Sequence, residues 1–308
     1  MELTSGCGTA LITPFRSDGS VDEQALFALT QWQVDNGIDW LVACGTTAET
    51  PTLTDEEWLH VLRIVAEAAA GRVPIWAGCT HNSTREAVHR ARTAATVPGI
   101  SAILTANPYY NRPTQEGLFE HFKAIARAVP HPVVLYNIPS RTSVNLEPAT
   151  VLRLIEASPN ILGIKESSGN LTQITSLITR VPPAFRVYSG DDSLALGVIG
   201  AGGAGVVSVT SNEIPTEMAQ MVHAALNDDW STARRINRKY FRLIEANFWE
   251  TSPGPVKAVL SMMGKCGEYY RLPMLPVSSG VRARLERVAG ELGLLVHAPR
   301  PEGDLRMF

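Results

Sequence analysis

Short apolar runs alternate with longer amphipathic segments along most of the chain. The runs are apolar on both faces, which is typical of parallel strands covered by helices. The longer segments repeat apolar residues at the spacing of an α-helix. We predict eight strands, at residues 9–13, 40–44, 75–79, 102–105, 133–137, 162–165, 186–189 and 206–209. The segments between them that predict helices include residues 22–36, 55–70, 84–96, 115–128 and 148–157.

Capping residues support two of these helices. Thr54 with Glu57 three positions later predicts a capping box. Asn82 and Ser83 predict a second cap, with Glu86 in the first turn of the helix. Strands and helices that alternate in this way predict a (β/α)8 TIM barrel.

An open, doubly wound sheet is the alternative fold. No GxGxxG loop follows the first predicted strand, and eight strands suit closure, so the barrel is favoured. Three further helices are predicted at residues 230–246, 253–263 and 279–292. We therefore expect a catalytic barrel over residues 1–228 and a C-terminal three-helix extension over residues 229–308, with residues 297–308 as a loose tail.

Composition and charge narrow the possible partners and the location. The 308 residues are 45% hydrophobic and carry a net charge of −3, which suits a packed core and gives no reason to expect nucleic acid or anionic membrane as a partner. No apolar run approaches the length of a membrane span, and no signal-peptide pattern opens the chain. The cysteines and histidines show no metal-binding spacing. We expect a cytoplasmic protein with reduced thiols at Cys7, Cys44, Cys79 and Cys266, and no metal.

Lys165 is the most informative polar residue, because the chemistry of a barrel is built where its strands end. It is one of only five lysines and follows the apolar residues 161–164. Burying an ammonium group costs free energy and so favours the neutral amine that Schiff-base chemistry requires. The alternative is a lysine paired with a carboxylate across the barrel. Glu166 is not a suitable partner, because strand alternation points it to the other face.

Other polar residues follow neighbouring strands. Tyr136 could exchange protons with a carbonyl substrate, or simply cap the barrel core. Thr46 and Thr47 begin a loop suited to a carboxylate. Arg141 can bind a carboxylate with two parallel hydrogen bonds, or can be a solvated loop arginine.

Two further features look functional but favour structural roles. The glycine-rich residues 200–205 precede a strand, so we expect a tight turn on the far side of the barrel and not a phosphate cradle. Asp191 and Asp192 could bind a divalent ion, but Asp192 before Ser193 is expected to be a helix N-cap.

Five segments together resemble the dihydrodipicolinate synthase / N-acetylneuraminate lyase family, from about Gly8 to the C-terminal helices. They are Gly45-Thr46-Thr47-Ala48-Glu49, Pro108-Tyr109-Tyr110-Asn111, Tyr136-Asn137-Ile138-Pro139-Ser140-Arg141-Thr142, Gly163-Ile164-Lys165-Glu166 and Ser189-Gly190-Asp191-Asp192. The Tyr-Tyr-Asn and Ser-Arg-Thr parts are similar to the synthase branch, because the sugar-acid lyases generally lack an arginine at position 141.

The resemblance implies a reaction and an assembly. It implies that pyruvate forms a Schiff base with Lys165 and condenses with L-aspartate 4-semialdehyde to 4-hydroxy-tetrahydrodipicolinate in lysine biosynthesis, with no cofactor. It also implies a homotetramer built from dimers. The catalytic residues would be Lys165, Tyr136, Thr46 and Tyr110, the last reaching the neighbouring subunit's site across a dimer interface. The substrate-binding residues would be Thr47, Arg141, Val207 and Gly190, with Arg141 on the carboxylate of the aldehyde.

The sequence departs from the family pattern at Ala48, at Val207 and at two positions of a ligand pocket. Val207 is a mild replacement for the usual isoleucine. Ala48 replaces the usual glycine, which would strain the loop if that position needed a positive φ. The resemblance matches three residues to the lysine-binding pocket of feedback-inhibited members: Asn82, Glu86 and Tyr109. Asp55 and Trp58 stand where those members often have histidines, so the response to lysine stays open.

Two alternative functions stay open at this point. One is another pyruvate or 2-keto-acid aldolase or dehydratase of the same family, against which Arg141 and Tyr110 argue. The other is a non-catalytic scaffold, against which the intact set of Lys165, Tyr136 and Thr46 argues.

Overall fold

The computed structural model describes residues 2–295, and its strands close into a barrel. The strands are β1 (Gly6–Ala10), β2 (Trp40–Ala43), β3 (Ile75–Gly78), β4 (Ile100–Ala106), β5 (Val133–Asn137), β6 (Ile161–Glu166), β7 (Arg186–Ser189) and β8 (Gly205–Ser208). Each strand pairs in parallel with the next, and β8 pairs in parallel with β1. The predicted TIM barrel is confirmed, and the open sheet is excluded.

Helices lie between the strands and continue beyond the last one. They are α1 (Glu23–Asp35), α2 (Asp55–Ala69), α3 (Thr84–Ala94), α4 (Gln115–Ala128), α5 (Pro139–Thr142), α6 (Pro148–Ala157), α7 (Leu171–Ile178), α8 (Ala195–Gly200), α9 (Pro215–Leu226), α10 (Trp230–Ala246), α11 (Gly254–Met262) and α12 (Ser279–Glu291). The three predicted C-terminal helices are therefore present as α10 to α12. The division at residue 228 stays a prediction, and the predicted tail at residues 297–308 lies outside the described residues.

The first strand begins three residues earlier than predicted, and its glycines explain why. Glycine has a low strand propensity, so Gly6 and Gly8 conceal the strand in the sequence. A Cβ atom at Gly8 would overlap the indole of Trp40, and one at Gly6 would overlap the Asp39 carboxylate. Gly6 also has φ +140°, a conformation that other residues rarely adopt. Close packing with the start of β2 therefore sets the position of β1.

The predicted helix caps have mixed outcomes. Thr54 and Glu57 form the capping box at α2, where the Glu57 amide donates to the Thr54 hydroxyl at 3.2 Å. Ser83 occupies the N-cap position of α3, but its side chain accepts no capping hydrogen bond. The cap predicted at Asp192 is wrong. Its carboxylate instead accepts hydrogen bonds from the amides of Val209 and Thr210 at 3.0 and 2.9 Å, which ties the segment after β7 to the segment after β8.

Aromatic side chains fill the amino end of the barrel interior. The rings of Trp40 and Trp76 stack with centroids 5.0 Å apart, and the Tyr188 ring lies 5.3 Å from that of Trp76. The Tyr188 hydroxyl donates to the carbonyl of Thr4, just before β1, at 2.8 Å. Leu3 packs in the same cluster. We call this cluster the aromatic plug. It fills the barrel interior at the amino ends of the strands, so an interior cavity can form only toward their carboxyl ends.

The extension packs on the outside of the barrel. Ile244, Leu260 and Val288, one from each of its helices, belong to the same hydrophobic core as the barrel residues. Cys7, Cys44 and Cys79 are buried free thiols, whereas Cys266 is only partly buried. Over residues 2–295, the helices are all too short or too polar to cross a membrane.

Candidate active site

A cavity of about 340 Å³ opens at the carboxyl ends of the strands. This volume lies within the range of small-molecule sites. Five residues that the sequence analysis singled out line it together, namely Thr46, Tyr109, Tyr136, Arg141 and Lys165. The fold thus brings together side chains that are up to 119 positions apart in the sequence.

Lys165 lies near the end of β6 and is 5% exposed. It is paired in register with Tyr136 of β5, and its Nζ atom lies 4.3 Å from the centroid of the Tyr136 ring. Over residues 2–295, no carboxylate forms an ion pair with this ammonium group. The alternative of a structural lysine paired across the barrel is therefore wrong, and the amine faces the cavity.

Two acids flank Lys165 without pairing with it. Glu166 points to the opposite face, as predicted, where its carboxylate accepts hydrogen bonds from the Asn137 side chain at 3.1 Å and the Ser168 amide at 2.8 Å. Burial raises the pKa of Glu166. Burial also raises the pKa of Asp191, and the charge of Lys165 partly opposes that rise. Burial thus disfavours the charged forms of both carboxyl groups that flank Lys165.

The turn after β2 presents Thr46 to the cavity. It consists of two short 3₁₀ helices, Thr46–Ala48 and Thr50–Thr52, joined at Glu49. The left-handed residue is Glu49, with φ 53°, and Ala48 lies in the right-handed part. The strain considered for Ala48 is therefore absent.

Arg141 reaches the cavity from α5, a helix of one turn that the sequence pattern did not predict. Its Nη2 atom donates to the carbonyl of Ser252, in the extension, at 3.2 Å. The residue is otherwise exposed, so the rest of its guanidinium remains available to an anion at the cavity mouth.

The other four predicted site residues are not among those that line the cavity. A Cβ atom on Gly190 would overlap Oγ of Ser167 and lie 2.9 Å from Cε of Lys165, so glycine leaves room for both side chains. Val207 packs in the interior with Tyr136. Thr47 is buried in the turn but does not line the cavity. Tyr110 is 89% exposed with φ 75° and lies outside the cavity of its own chain.

Of the three residues matched to a lysine pocket, Tyr109 alone is among those that line the cavity. Tyr109 lines it, with its ring 6.3 Å from that of His81, and Asn82 accepts a hydrogen bond through its carbonyl from Asn111. Glu86 pairs with the adjacent Arg85. Lysine binding by this group stays a prediction.

The sequence analysis missed Thr80 and Arg90, which also line the outer cavity. Arg90 pairs with Asp55 at 3.1 Å and lies over the Trp58 ring. Its position on α3 gave no signal, because an arginine on an amphipathic helix is normally solvated. Over residues 2–295, no cluster of three His, Cys, Asp or Glu side chains is arranged to hold a metal ion.

The closed barrel and the lysine-containing cavity at its mouth define a TIM-barrel enzyme that acts on small molecules. Residues 3–292 match the sequence profile of the dihydrodipicolinate synthetase family. The chain therefore belongs to the dihydrodipicolinate synthetase family, as the resemblance predicted.

Individual relatives agree with this assignment. The chain is 72% identical over 298 residues to 4-hydroxy-tetrahydrodipicolinate synthase of Acidobacterium capsulatum. The alignment covers 97% of this chain and 99% of that protein. The crystal structure of dihydrodipicolinate synthase from Aquifex aeolicus is 41% identical with a TM-score of 0.93, covering 96% of this chain and 100% of that one. The Acinetobacter baumannii enzyme, solved in complex with pyruvate, is 39% identical with a TM-score of 0.93, covering 95% and 100%.

Proposed function

We propose that this chain is a lyase that condenses pyruvate with L-aspartate 4-semialdehyde to 4-hydroxy-tetrahydrodipicolinate, in lysine biosynthesis. The name and high identity of the Acidobacterium capsulatum relative support the reaction. The single observation that carries the proposal for this chain is Lys165, which is buried at the cavity and, among residues 2–295, forms no ion pair with an acid. An amine in that position can reach a ketone bound in the cavity, which Schiff-base formation requires.

The first half of the reaction joins pyruvate to the enzyme. The neutral Nζ of Lys165 attacks the ketone carbon of pyruvate, and loss of water from the carbinolamine leaves an imine. Removal of a proton from the methyl group then gives an enamine, whose carbon is the nucleophile of the next step. Gly190 leaves the lysine side chain space to turn toward the ketone.

Proton transfer in both directions requires a group beside the amine. Tyr136, whose ring lies 4.3 Å from the lysine nitrogen, is the proposed donor and acceptor, with Thr46 as the next member of the relay. Tyr110 is proposed to complete the relay in a neighbouring subunit. Its high exposure and its position outside its own cavity support a role across an interface.

The second half of the reaction forms the carbon–carbon bond. Arg141 holds the carboxylate of L-aspartate 4-semialdehyde at the cavity mouth while the enamine carbon attacks the aldehyde. The amine of that substrate then adds to the imine carbon and displaces Lys165, which closes the ring and frees the enzyme. Thr47 and the main chain near Val207 are proposed to hold the pyruvate carboxylate.

The proposed assembly is a homotetramer of two dimers, and the proposed location is the cytoplasm, where pyruvate is available. The role assigned to Tyr110 supports at least a dimer. Light scattering of the purified protein measures the mass of the assembly directly.

Borohydride reduction in the presence of pyruvate tests the mechanism. We expect mass spectrometry to find one reduced pyruvyl group per chain, on Lys165. Lys165→Ala should fold and form no adduct, whereas Lys239→Ala, which removes an exposed lysine of α10, should react like the unmodified protein. An unmodified protein that forms no adduct would support a non-catalytic scaffold and contradict the proposal.

A coupled assay with both substrates distinguishes the remaining alternative. If the chain traps pyruvate but does not consume L-aspartate 4-semialdehyde, it is another 2-keto-acid aldolase or dehydratase. Trapping in the presence of competing keto acids then identifies the preferred substrate.

A further inference from the structure

Lys257 is a second buried lysine, and it lies in the C-terminal extension. Its side chain is fully buried in α11, and its Nζ atom lies 2.7 Å from the Glu49 carboxylate and 3.1 Å from the carbonyl of Thr13. The rings of Phe15 and Tyr270 cover the same ammonium group, with centroids at 4.4 and 4.9 Å. Burial lowers the pKa of Lys257, and the charge of Glu49 opposes this. The lysine is thus fixed on several sides by groups from distant parts of the chain.

Glu49 connects this lysine to the cavity. It joins the two 3₁₀ helices of residues 46–52, which we call the 46–52 turn. The Glu49 amide donates to the carbonyl of Thr46 at 3.1 Å, and its own carbonyl accepts from the Thr52 amide at 2.9 Å. Its left-handed backbone is unfavourable for a residue with a side chain, so surrounding contacts must hold it in place.

A second cation of the extension contacts the same turn. The Arg271 amide approaches the other oxygen of Glu49 at 3.4 Å, and its guanidinium donates to the carbonyl of Thr52 at 2.8 Å. The same guanidinium pairs with Glu57, at the start of α2. The extension therefore contacts the middle and the end of the turn whose beginning, Thr46, lines the cavity.

Packing alone does not account for a charged pair at this place. A buried ion pair carries a large desolvation cost, and apolar side chains of similar volume often give equal or greater stability. What the ion pair adds is direction, because a 2.7 Å contact fixes one carboxylate oxygen relative to one nitrogen. The group fixed in this way is the side chain of the strained residue of the turn.

We propose that Lys257 is a positioning residue for the reaction, which acts through Glu49 to hold the 46–52 turn, and with it Thr46, in the geometry that pyruvate requires. The proposal rests on the proposed function for its substrate. It assigns the C-terminal extension a direct influence on the active site, in addition to its packing.

The test compares Lys257→Met with Lys265→Met. Methionine keeps much of the side-chain volume and removes the charge. Lys265 also belongs to the extension and lies over the Trp32 ring, and among residues 2–295 it forms no hydrogen bond or ion pair with the turn. We expect Lys257→Met to slow borohydride trapping of limiting pyruvate about tenfold or more, since small displacements in a catalytic site have effects of this size. Lys265→Met should leave the trapping rate unchanged.

The double variant Glu49→Gln/Lys257→Met separates positioning from stability. The single variant leaves the Glu49 charge buried and unpaired, which lowers the melting temperature. The double variant removes that charge, so we expect the melting temperature to recover while the trapping rate of limiting pyruvate stays low. If Lys257→Met does not fold, the double variant alone carries the comparison.

Two outcomes would overturn the inference. One is a folded Lys257→Met protein that traps pyruvate at the unmodified rate. The other is a double variant in which the trapping rate recovers together with the melting temperature.

Hydrogen exchange provides a measurement that does not depend on pyruvate. We expect faster amide exchange confined to the 46–52 turn in the double variant and not in Lys265→Met. If the unmodified protein forms no pyruvate adduct, the proposed function fails. The exchange data then decide the inference, and unchanged exchange in the turn would contradict it.

Discussion

Lys165 and Lys257 are both buried, and their surroundings show which of them is available for chemistry. Lys257 has a carboxylate at 2.7 Å and is covered by two aromatic rings. Lys165 has one aromatic neighbour and faces a cavity. The Lys257 nitrogen is directed at its carboxylate and covered by rings, whereas the Lys165 nitrogen faces a space in which a ligand can lie. Contact with the cavity, and not burial, therefore distinguishes the proposed nucleophile Lys165 from Lys257.

Only one of these two lysines could be recognised from the sequence. Lys165 follows a predicted strand, and strand ends are where a barrel places its chemistry. Lys257 also lies in an apolar segment, which was an available signal, but its partner Glu49 is 208 positions away. A pairing of that kind depends on how the extension packs on the barrel, which local patterns do not encode.

At the residue level, Arg141 is expected to separate the two halves of the reaction. Arg141→Ala should leave the borohydride-trapped pyruvate adduct intact and lower kcat/KM for L-aspartate 4-semialdehyde about tenfold to hundredfold, as expected for losing hydrogen bonds to a charged group. Steady-state kinetics with each substrate varied in turn measures this. Arg127→Ala, an exposed position at the end of α4, serves as the control. Equal loss of both steps would mean that Arg141 has another role.

At the level of elements, the sequence predicted the order of strands and helices well and their ends less well. Strands β5 and β7 have the predicted bounds, and each contains valine and tyrosine, which have high strand propensity. Strand β1 begins earlier than predicted because its position depends on contacts of Gly6 and Gly8 with the next strand. Asp192 has the sequence signature of a cap, yet it binds the segment after β8. Local signals thus predict elements, while contacts between elements fix their ends.

The capping box of α2 gives a prediction at this level. Thr54→Ala removes the hydroxyl that accepts from the Glu57 amide, and should lower the free energy of unfolding by about 1 kcal/mol. Urea denaturation measures this change. Thr96→Ala, at an exposed position after α3, is the matched control and should have a smaller effect. A Thr54→Ala protein as stable as the control would show that the ion pair of Glu57 with Arg271 is sufficient to fix this helix start.

For the whole molecule, one ion pair joins the end of the barrel to its beginning. His223 of α9 lies 2.8 Å from the Asp39 carboxylate, which also accepts a hydrogen bond from the amide of Cys7 in β1. The hydrogen bond to Asp39 raises the pKa of His223 above its ordinary value. The protonated pair therefore stabilises the fold fully below the pKa of the unfolded histidine, and this contribution is lost as pH rises through the higher pKa of the folded state.

We expect His223→Gln to reduce stability more at low pH than at high pH. The difference in free energy of unfolding between the unmodified protein and the variant should be largest at about pH 5.5 and smaller at about pH 8.5, on either side of the ordinary histidine pKa. Urea denaturation across this range measures it. His89→Gln, on an exposed position of α3, should show no comparable trend. A pH-independent difference would contradict the assignment.

The aromatic plug formed around Trp40, Trp76 and Tyr188 affects how substrates enter and how the product leaves. Among residues 2–295, the plug fills the interior at the amino ends of the strands, and the cavity opens at their carboxyl ends, so we expect substrates and product to pass through that opening. Under the proposed reaction, the keto acid must reach the deep amine before the aldehyde arrives and covers it. The finished ring must then depart by the route its precursors took. The order of arrival is thus imposed by architecture, independently of the affinity of either reactant.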